Sequence, residues 1–238
     1  MITEEFPEWE NELMPSGRTM GDLLVLPNGE LLLINGATRG TSAWWDADMP
    51  NYTPVLYKPE EPKGSRFTVL TPSSIARMYH STSTVLPSGK IWVSGSNTHN
   101  TYKDVDKFPT ETRVEAFSPP YLDPNFDMFR PHIFEDASQK GLIYGASFEV
   151  SFSMEDGAGL TQNDLKVSMY SPPFTTHGFS MGQRLLFLKI YELITEFEGS
   201  YRLRVEAPPS NVVAPPGYYL LFVVHRGLPG KGMWVNIQ

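Results

Sequence analysis

The sequence predicts an all-β fold in two parts, and three observations carry that prediction. Composition is the first: 19 glycines and 21 prolines in 238 residues, with 13% aromatic and 19% charged residues. That balance suits short strands joined by tight turns, not a helical bundle. The second is a hairpin pattern that occurs twice in the first half of the chain. The third is a series of short apolar runs in the second half, separated by proline- and glycine-rich turn signals. At 40% hydrophobic, the chain is too apolar for a disordered one.

The repeated hairpin runs from Met20 to Ala37 and again from Tyr79 to Asn97. Each copy reads as an apolar strand, a Leu-Pro-x-Gly turn and a second apolar strand ending near glycine, at Gly36 and at Gly95. Between the copies, Pro54 to Tyr57 and Arg66 to Leu70 read as two more strands, and Thr112 to Phe117 follows the second copy. A hairpin recurring at this scale, with glycine at strand ends, is the sign of kelch-type propeller blades, and the two strands between the copies complete the four that one blade requires. A propeller closes with roughly 4–8 blades, and the chain has room for about two. A partial propeller would leave an open edge and apolar faces to bury. A plain two-hairpin β domain is the alternative on these residues.

Pro119-Pro120-Tyr121-Leu122-Asp123-Pro124 reads as a stiff, helix-forbidding linker. It divides the chain into residues 1–121, read as blades, and 125–238, read as an immunoglobulin-like β-sandwich, which typically takes about 100 residues. The predicted sandwich strands are Ser147 to Phe152, Leu165 to Tyr170, Arg184 to Ile190, Tyr201 to Val205, Gly217 to Val223 and Met233 to Ile237. In Tyr201-Arg202-Leu203-Arg204-Val205 the alternation puts Tyr, Leu and Val on one face.

Charge and motifs exclude several functions. Nineteen basic against 27 acidic residues give a net charge of −8, a poor basis for binding nucleic acid or an anionic membrane. No apolar run reaches membrane-spanning length. The chain has no cysteine, so disulfides, thiolate metal sites and cysteine nucleophiles are excluded. HExxH, GxSxG, P-loop and GxGxxG patterns are missing. The acidic N-terminus lacks the pattern of a signal peptide. One sequon, Asn51-Tyr52-Thr53, is a weak pointer to secretion.

Five histidines remain: His80, His99, His132, His177 and His225. Tyr79 and His80 fall at the start of the second hairpin, where adjacent strand residues face opposite ways unless the chain bends. His177 lies in a loop between sandwich strands, next to Gly178. On the residues alone, each histidine reads as a hydrogen-bonded structural residue before it reads as a metal ligand.

Four stretches carry a resemblance. They are RMYHSTSTVLPSGKIWVSGSN (Arg77 to Asn97), RVEAFSPPYLDP (Arg113 to Pro124), TTHGFSMGQRLLFL (Thr175 to Leu188) and APPGYYLLFVVHRGLPGKGMWVNIQ (Ala214 to Gln238). Together they make nearly the whole chain resemble the C-terminal part of the plant glyoxal oxidase and galactose oxidase family of copper radical oxidases. The resemblance implies a partial kelch propeller followed by an early-set, immunoglobulin-like domain. It implies copper bound by Tyr79, His80 and His177, with Tyr79 also the catalytic base that takes the substrate proton. Gln183 and Arg184 match residues after the ligand loop and read as scaffolding. The family's redox cofactor is a tyrosine cross-linked to a cysteine. This chain has no cysteine, so three of four ligands and no Cys-Tyr radical cofactor are expected here. The implied reaction oxidises a small aldehyde or primary alcohol with dioxygen, releasing hydrogen peroxide. An extracellular or cell-wall setting is implied as well, and the isolated chain is expected to be inactive. The alternative is a noncatalytic β module with a binding or structural role.

Overall fold

The computed structural model describes residues 8–197 and 199–238. Residues 1–7, where the N-terminal stretch and the first predicted part begin, lie outside the described residues.

Strands β1 (Asp22–Val25) and β2 (Leu31–Ile34) form the first copy of the hairpin. A short ribbon, β3 (Ala37–Arg39) with β4 (Asp48–Pro50), follows. Next come β5 (Val55–Tyr57) and β6 (Phe67–Val69), which complete a four-stranded antiparallel sheet in the order β1-β2-β5-β6. The second copy gives β7 (Thr82–Val85) and β8 (Ile91–Ser94), joined by β9 (Glu115–Phe117) into a sheet of three strands.

Both hairpins turn the same way for a physical reason. The Leu26 N–H donates to the Glu30 carbonyl at 2.8 Å and the Gly29 N–H to the Leu26 carbonyl at 2.9 Å; Leu86, Lys90 and Gly89 repeat both bonds at 2.8 Å. Proline sits where its fixed φ suits the turn, and the glycine takes φ of +94° or +81°. This is a three-residue loop closed by a left-handed residue, which favours glycine.

The linker departs from expectation. Pro120–Leu122 and Pro124–Phe129 form two short 3₁₀ helices. Proline heads each one, where its missing N–H costs nothing, and the Asp123 side chain accepts from the Asn125 N–H at 2.9 Å. The Tyr121 hydroxyl donates to the Gly89 carbonyl at 2.6 Å, tying the linker to the second blade's turn.

The second half is a two-sheet sandwich. One sheet runs β10 (His132–Ile133), β12 (Ser147–Ser153), β18 (Ser200–Glu206), β17 (Ile190–Phe197). The other runs β11 (Gly141–Leu142), β21 (Met233–Ile237), β19 (Gly217–His225), β13 (Leu165–Ser171), β16 (Arg184–Leu188), with β20 (Leu228–Pro229) paired to β19. The predicted strand from Arg184 to Ile190 is two strands, because the chain changes sheets at Lys189. The Glu206 N–H donates to the Lys189 carbonyl at this corner.

The sandwich core gathers Phe148, Val150, Phe152, Val167, Met169, Leu203, Val205, Leu221 and Val223. The other face of the β19 sheet is also covered. Tyr170, Leu220, Phe222 and Val224 pack in one cluster with Leu24, Leu26, Leu32, Ile34 and Leu56 of the first blade and Val85, Ile91 and Val93 of the second. That explains the unbroken apolar run in β19: alternate residues serve two cores, and a strand covered on both faces loses its alternation. Each side chain so buried contributes about 1.5–3 kcal/mol. The two blades therefore bury their apolar faces against each other and against the sandwich.

Between β13 and β16 the chain makes a separate hairpin, β14 (Phe174–Thr176) and β15 (Phe179–Met181). The sequence here reads as a loop, and the structure makes it a hairpin. It leaves the sandwich and contacts β1 and β7, the first strands of the two blades.

Candidate metal centre

Tyr79 and His80 do not begin a strand. They form a turn ahead of β7, in which the Ser81 N–H donates to the Met78 carbonyl at 3.1 Å. His80 has φ of +64°, the left-handed conformation that a type II turn requires at its third residue. This bend removes the up-down alternation that would send the two side chains apart. Their rings lie 3.9 Å apart, centroid to centroid. A left-handed non-glycine residue is costly and persists only where its surroundings fix it. The Tyr79 carbonyl accepts from the Asn97 N–H at 2.8 Å and from the Ser96 hydroxyl at 3.1 Å. Beneath the turn, buried Arg77 donates to the Glu115 carboxylate at 2.8 Å and to the Arg113 carbonyl at 3.0 Å.

His177 occupies the tip of the β14–β15 hairpin. His177 and Gly178 have φ of +54° and +80°, the two left-handed residues of a type I′ turn, whose twist matches a tight hairpin. The hairpin brings His177 to the other two residues. Its ring lies 4.7 Å from that of His80 and 5.7 Å from that of Tyr79. Tyr79 and His80 are half-buried and His177 is exposed. The outer face of the hairpin presents Phe174, Phe179 and Met181 to solvent.

The hydrogen bonds leave one ring nitrogen open on each histidine. His80 Nδ1 lies 2.8 Å from the Asn97 carbonyl. A carbonyl only accepts, so Nδ1 carries the proton and Nε2 keeps its lone pair; a ligating histidine is commonly oriented in this way. His177 Nδ1 lies 2.6 Å from the Thr176 hydroxyl, which again leaves Nε2 as the open nitrogen. Two imidazole nitrogens and a phenol oxygen form a mixed N,O donor set that fits copper(II). Among the described residues no three His, Cys, Asp or Glu side chains gather at one place, so the tyrosine is what completes this trio.

The remaining histidines contribute no ring to the trio. His99 and His225 are buried and engage the Phe108 and Phe129 carbonyls at 2.9 Å. His132 is exposed in β10.

Gln183 and Arg184 act as supports. The Gln183 side chain accepts from the Val25 N–H at 3.0 Å and donates to the Leu23 carbonyl at 2.7 Å. It thereby pairs the open edge of β1 as a neighbouring strand would. Arg184 donates to the Val213 carbonyl within the sandwich.

Asn97 and Thr176, which engage Nδ1 of the two histidines, carry no motif that marks them in the sequence.

Comparison with known proteins places the chain. The family described as glyoxal oxidase N-terminus matches residues 1–121, and the galactose oxidase-like early set domain matches residues 130–237. The chain is 47% identical over 236 residues to aldehyde oxidase GLOX1 of Arabidopsis thaliana, covering 99% of this chain and 38% of the relative. It is 50% identical over 225 residues to the putative aldehyde oxidase Art an 7 of Artemisia annua, covering 94% of this chain and 37% of the relative. Galactose oxidase of Gibberella zeae is 28% identical over 223 residues, with 92% of this chain and 29% of the relative covered. The chain thus spans about two fifths of the length of the plant relatives.

Proposed function

The chain belongs to the glyoxal oxidase family, with a galactose oxidase-like early set domain, and on that premise we propose that Tyr79, His80 and His177 hold copper in an oxidase of small aldehydes or primary alcohols. One observation carries the reading. Residues from two distant segments meet with their rings 3.9–5.7 Å apart, and both histidines have Nδ1 engaged and Nε2 open. The names of the relatives, aldehyde oxidase and galactose oxidase, support the substrate class and the use of dioxygen.

Bound copper supplies one-electron redox chemistry and polarises a coordinated oxygen. The chain's own residues do the rest. His80 and His177 offer neutral imidazole nitrogens, and the Asn97 carbonyl fixes the first of these in its tautomer. The Tyr79 phenol oxygen forms no hydrogen bond among the described residues, so it is available to take a proton from a substrate hydroxyl. Its place beside the two histidine rings suits Tyr79 to a general base.

A two-electron oxidation needs a second redox partner beside the metal. With no cysteine in 238 residues, this chain cannot form a Cys-Tyr cross-link by itself. The isolated chain is therefore a copper-binding β module without turnover. In the longer protein, which acts in an extracellular or cell-wall setting on this reading, the oxidation releases hydrogen peroxide. A peroxidase-coupled assay of the copper-loaded chain with glyoxal and with galactose is expected to give no peroxide. Copper-dependent turnover would overturn the inactivity of the isolated chain. Loss of copper binding in His80→Ala and in His177→Ala is expected; wild-type binding in either would remove that residue from the site.

A further inference from the structure

Strand β15 and strand β1 run side by side, and three pairs of residues join them at one constant offset of 158. The backbone of Met20 lies 3.1 Å from where a Cβ on Gly178 would sit. Gln183 bonds the Val25 N–H at that offset. Between these two contacts, at the same spacing, stand Asp22 and Ser180.

Asp22 is 2% exposed and points inward with Leu24. A carboxylate at an inward position of an apolar strand is costly unless it is bonded. One oxygen, Oδ2, accepts from the Ser83 hydroxyl at 2.8 Å and from the Asn35 amide at 3.2 Å. Ser83 lies in β7, the strand that follows Tyr79 and His80. The other oxygen, Oδ1, is buried and has no hydrogen-bond partner among the described residues, and neither do the buried hydroxyls of Thr175 and Ser180. Thr175 and Ser180 face each other across the β14–β15 hairpin. The Ser180 hydroxyl stands close enough to Asp22 to draw its pKa down, against the larger upward push of burial. Buried polar atoms are rarely left unsatisfied, and three converging at one contact mark it as a built junction.

We propose that Asp22 is a positioning residue that latches the His177 hairpin, through Ser180, to the strand that follows Tyr79 and His80. Oδ2 bonds the blade side, and Oδ1, still unpaired, is the acceptor this proposal assigns to the unpaired Ser180 hydroxyl on the hairpin side. The two segments that carry the candidate ligands thereby share one carboxyl. The metal part of this proposal rests on the reading of Tyr79, His80 and His177 as the copper set; the latch itself does not.

The test separates the two. Hydrogen exchange of residues 174–181 is measured in the copper-free chain, for wild type, Asp22→Ala, Asp22→Asn and Ser180→Ala. Exchange in the hairpin is expected to quicken by ~10-fold in Asp22→Ala and Ser180→Ala. Asp22→Asn keeps an acceptor and gains a donor, so it is expected to stay near wild type. Unchanged hairpin exchange in folded Asp22→Ala or in Ser180→Ala overturns the latch; if Asp22→Ala does not fold, Ser180→Ala decides. Copper(II) affinity of the same variants is then expected to fall by ~10-fold, with Asp22→Asn restoring it. Faster exchange with no copper bound by any variant, wild type included, keeps the latch and removes the copper reading.

Discussion

Gly178→Ala is the sharpest probe of how the hairpin is held. Gly178 has φ of +80°, and an added Cβ would meet Met20 Cα, carbonyl carbon and oxygen at 3.1–3.2 Å. A left-handed alanine costs about 1–2 kcal/mol. The overlap is with backbone, which cannot rotate aside as a side chain would. Relieving it by a few tenths of an ångström adds about 1 kcal/mol, the low end for overpacking. The total of about 2–3 kcal/mol has two possible outlets. If the whole domain carries it, the melting temperature falls by about 4–12 °C for a chain of this size. If the hairpin undocks locally, the docked population falls by ~30–150-fold relative to the undocked one, with little change in melting. Circular dichroism melts and hydrogen exchange at residues 174–181 read the two outlets. A variant that melts within about 1 °C of wild type and exchanges within about twofold would refute the close approach of the hairpin tip to Met20.

Three other expectations follow from particular bonds. Gln183→Ala removes two hydrogen bonds to the β1 edge, so urea denaturation should show a loss of about 1–3 kcal/mol; Gln183→Glu keeps only an acceptor and should lose part of that. Burial raises the Asp22 pKa above 3.8, so the folded state holds this proton to higher pH than the unfolded one and loses stability as pH rises through that window. The melting temperature of Asp22→Asn minus that of wild type should therefore grow as pH is raised from about 4, and a difference that stays flat would contradict the raised pKa. Asn51 is 8% exposed, its amide donates to Ser16 and to the Gly17 carbonyl, and its oxygen accepts from the Thr53 N–H; mass spectrometry of chain made in a glycosylating host should show no glycan there, and a folded, glycosylated Asn51 would refute this.

The parts legible in the sequence were those governed by local rules. Leu-Pro-x-Gly fixed both blade turns, and Tyr201, Leu203 and Val205 share the buried face that alternation assigns to them. The Gly217 to Val223 run is a strand, though only the structure explains its unbroken apolar character, since β19 serves two cores. Errors fell where tertiary contacts override local pattern. Tyr79 and His80 looked like strand residues because a left-handed histidine has no sequence signature; Ser96 and Asn97 hold it there. The β14–β15 hairpin is hidden because Thr175 and Ser180 look like loop residues until the blades cover the face they share. The predicted strand ending at Ile190 splits because the chain crosses between sheets at a lysine. The trio of Tyr79, His80 and His177 came from resemblance and not from spacing, and no periodicity links residue 80 to residue 177.

The central claim is one mixed N,O copper site built from both halves of the chain. Copper(II) titration followed by electron paramagnetic resonance tests it most directly. The account predicts one tightly bound copper per chain with superhyperfine splitting from two nitrogens, reduced to one nitrogen in His177→Ala and in His80→Ala. A spectrum unchanged by His177→Ala would contradict it.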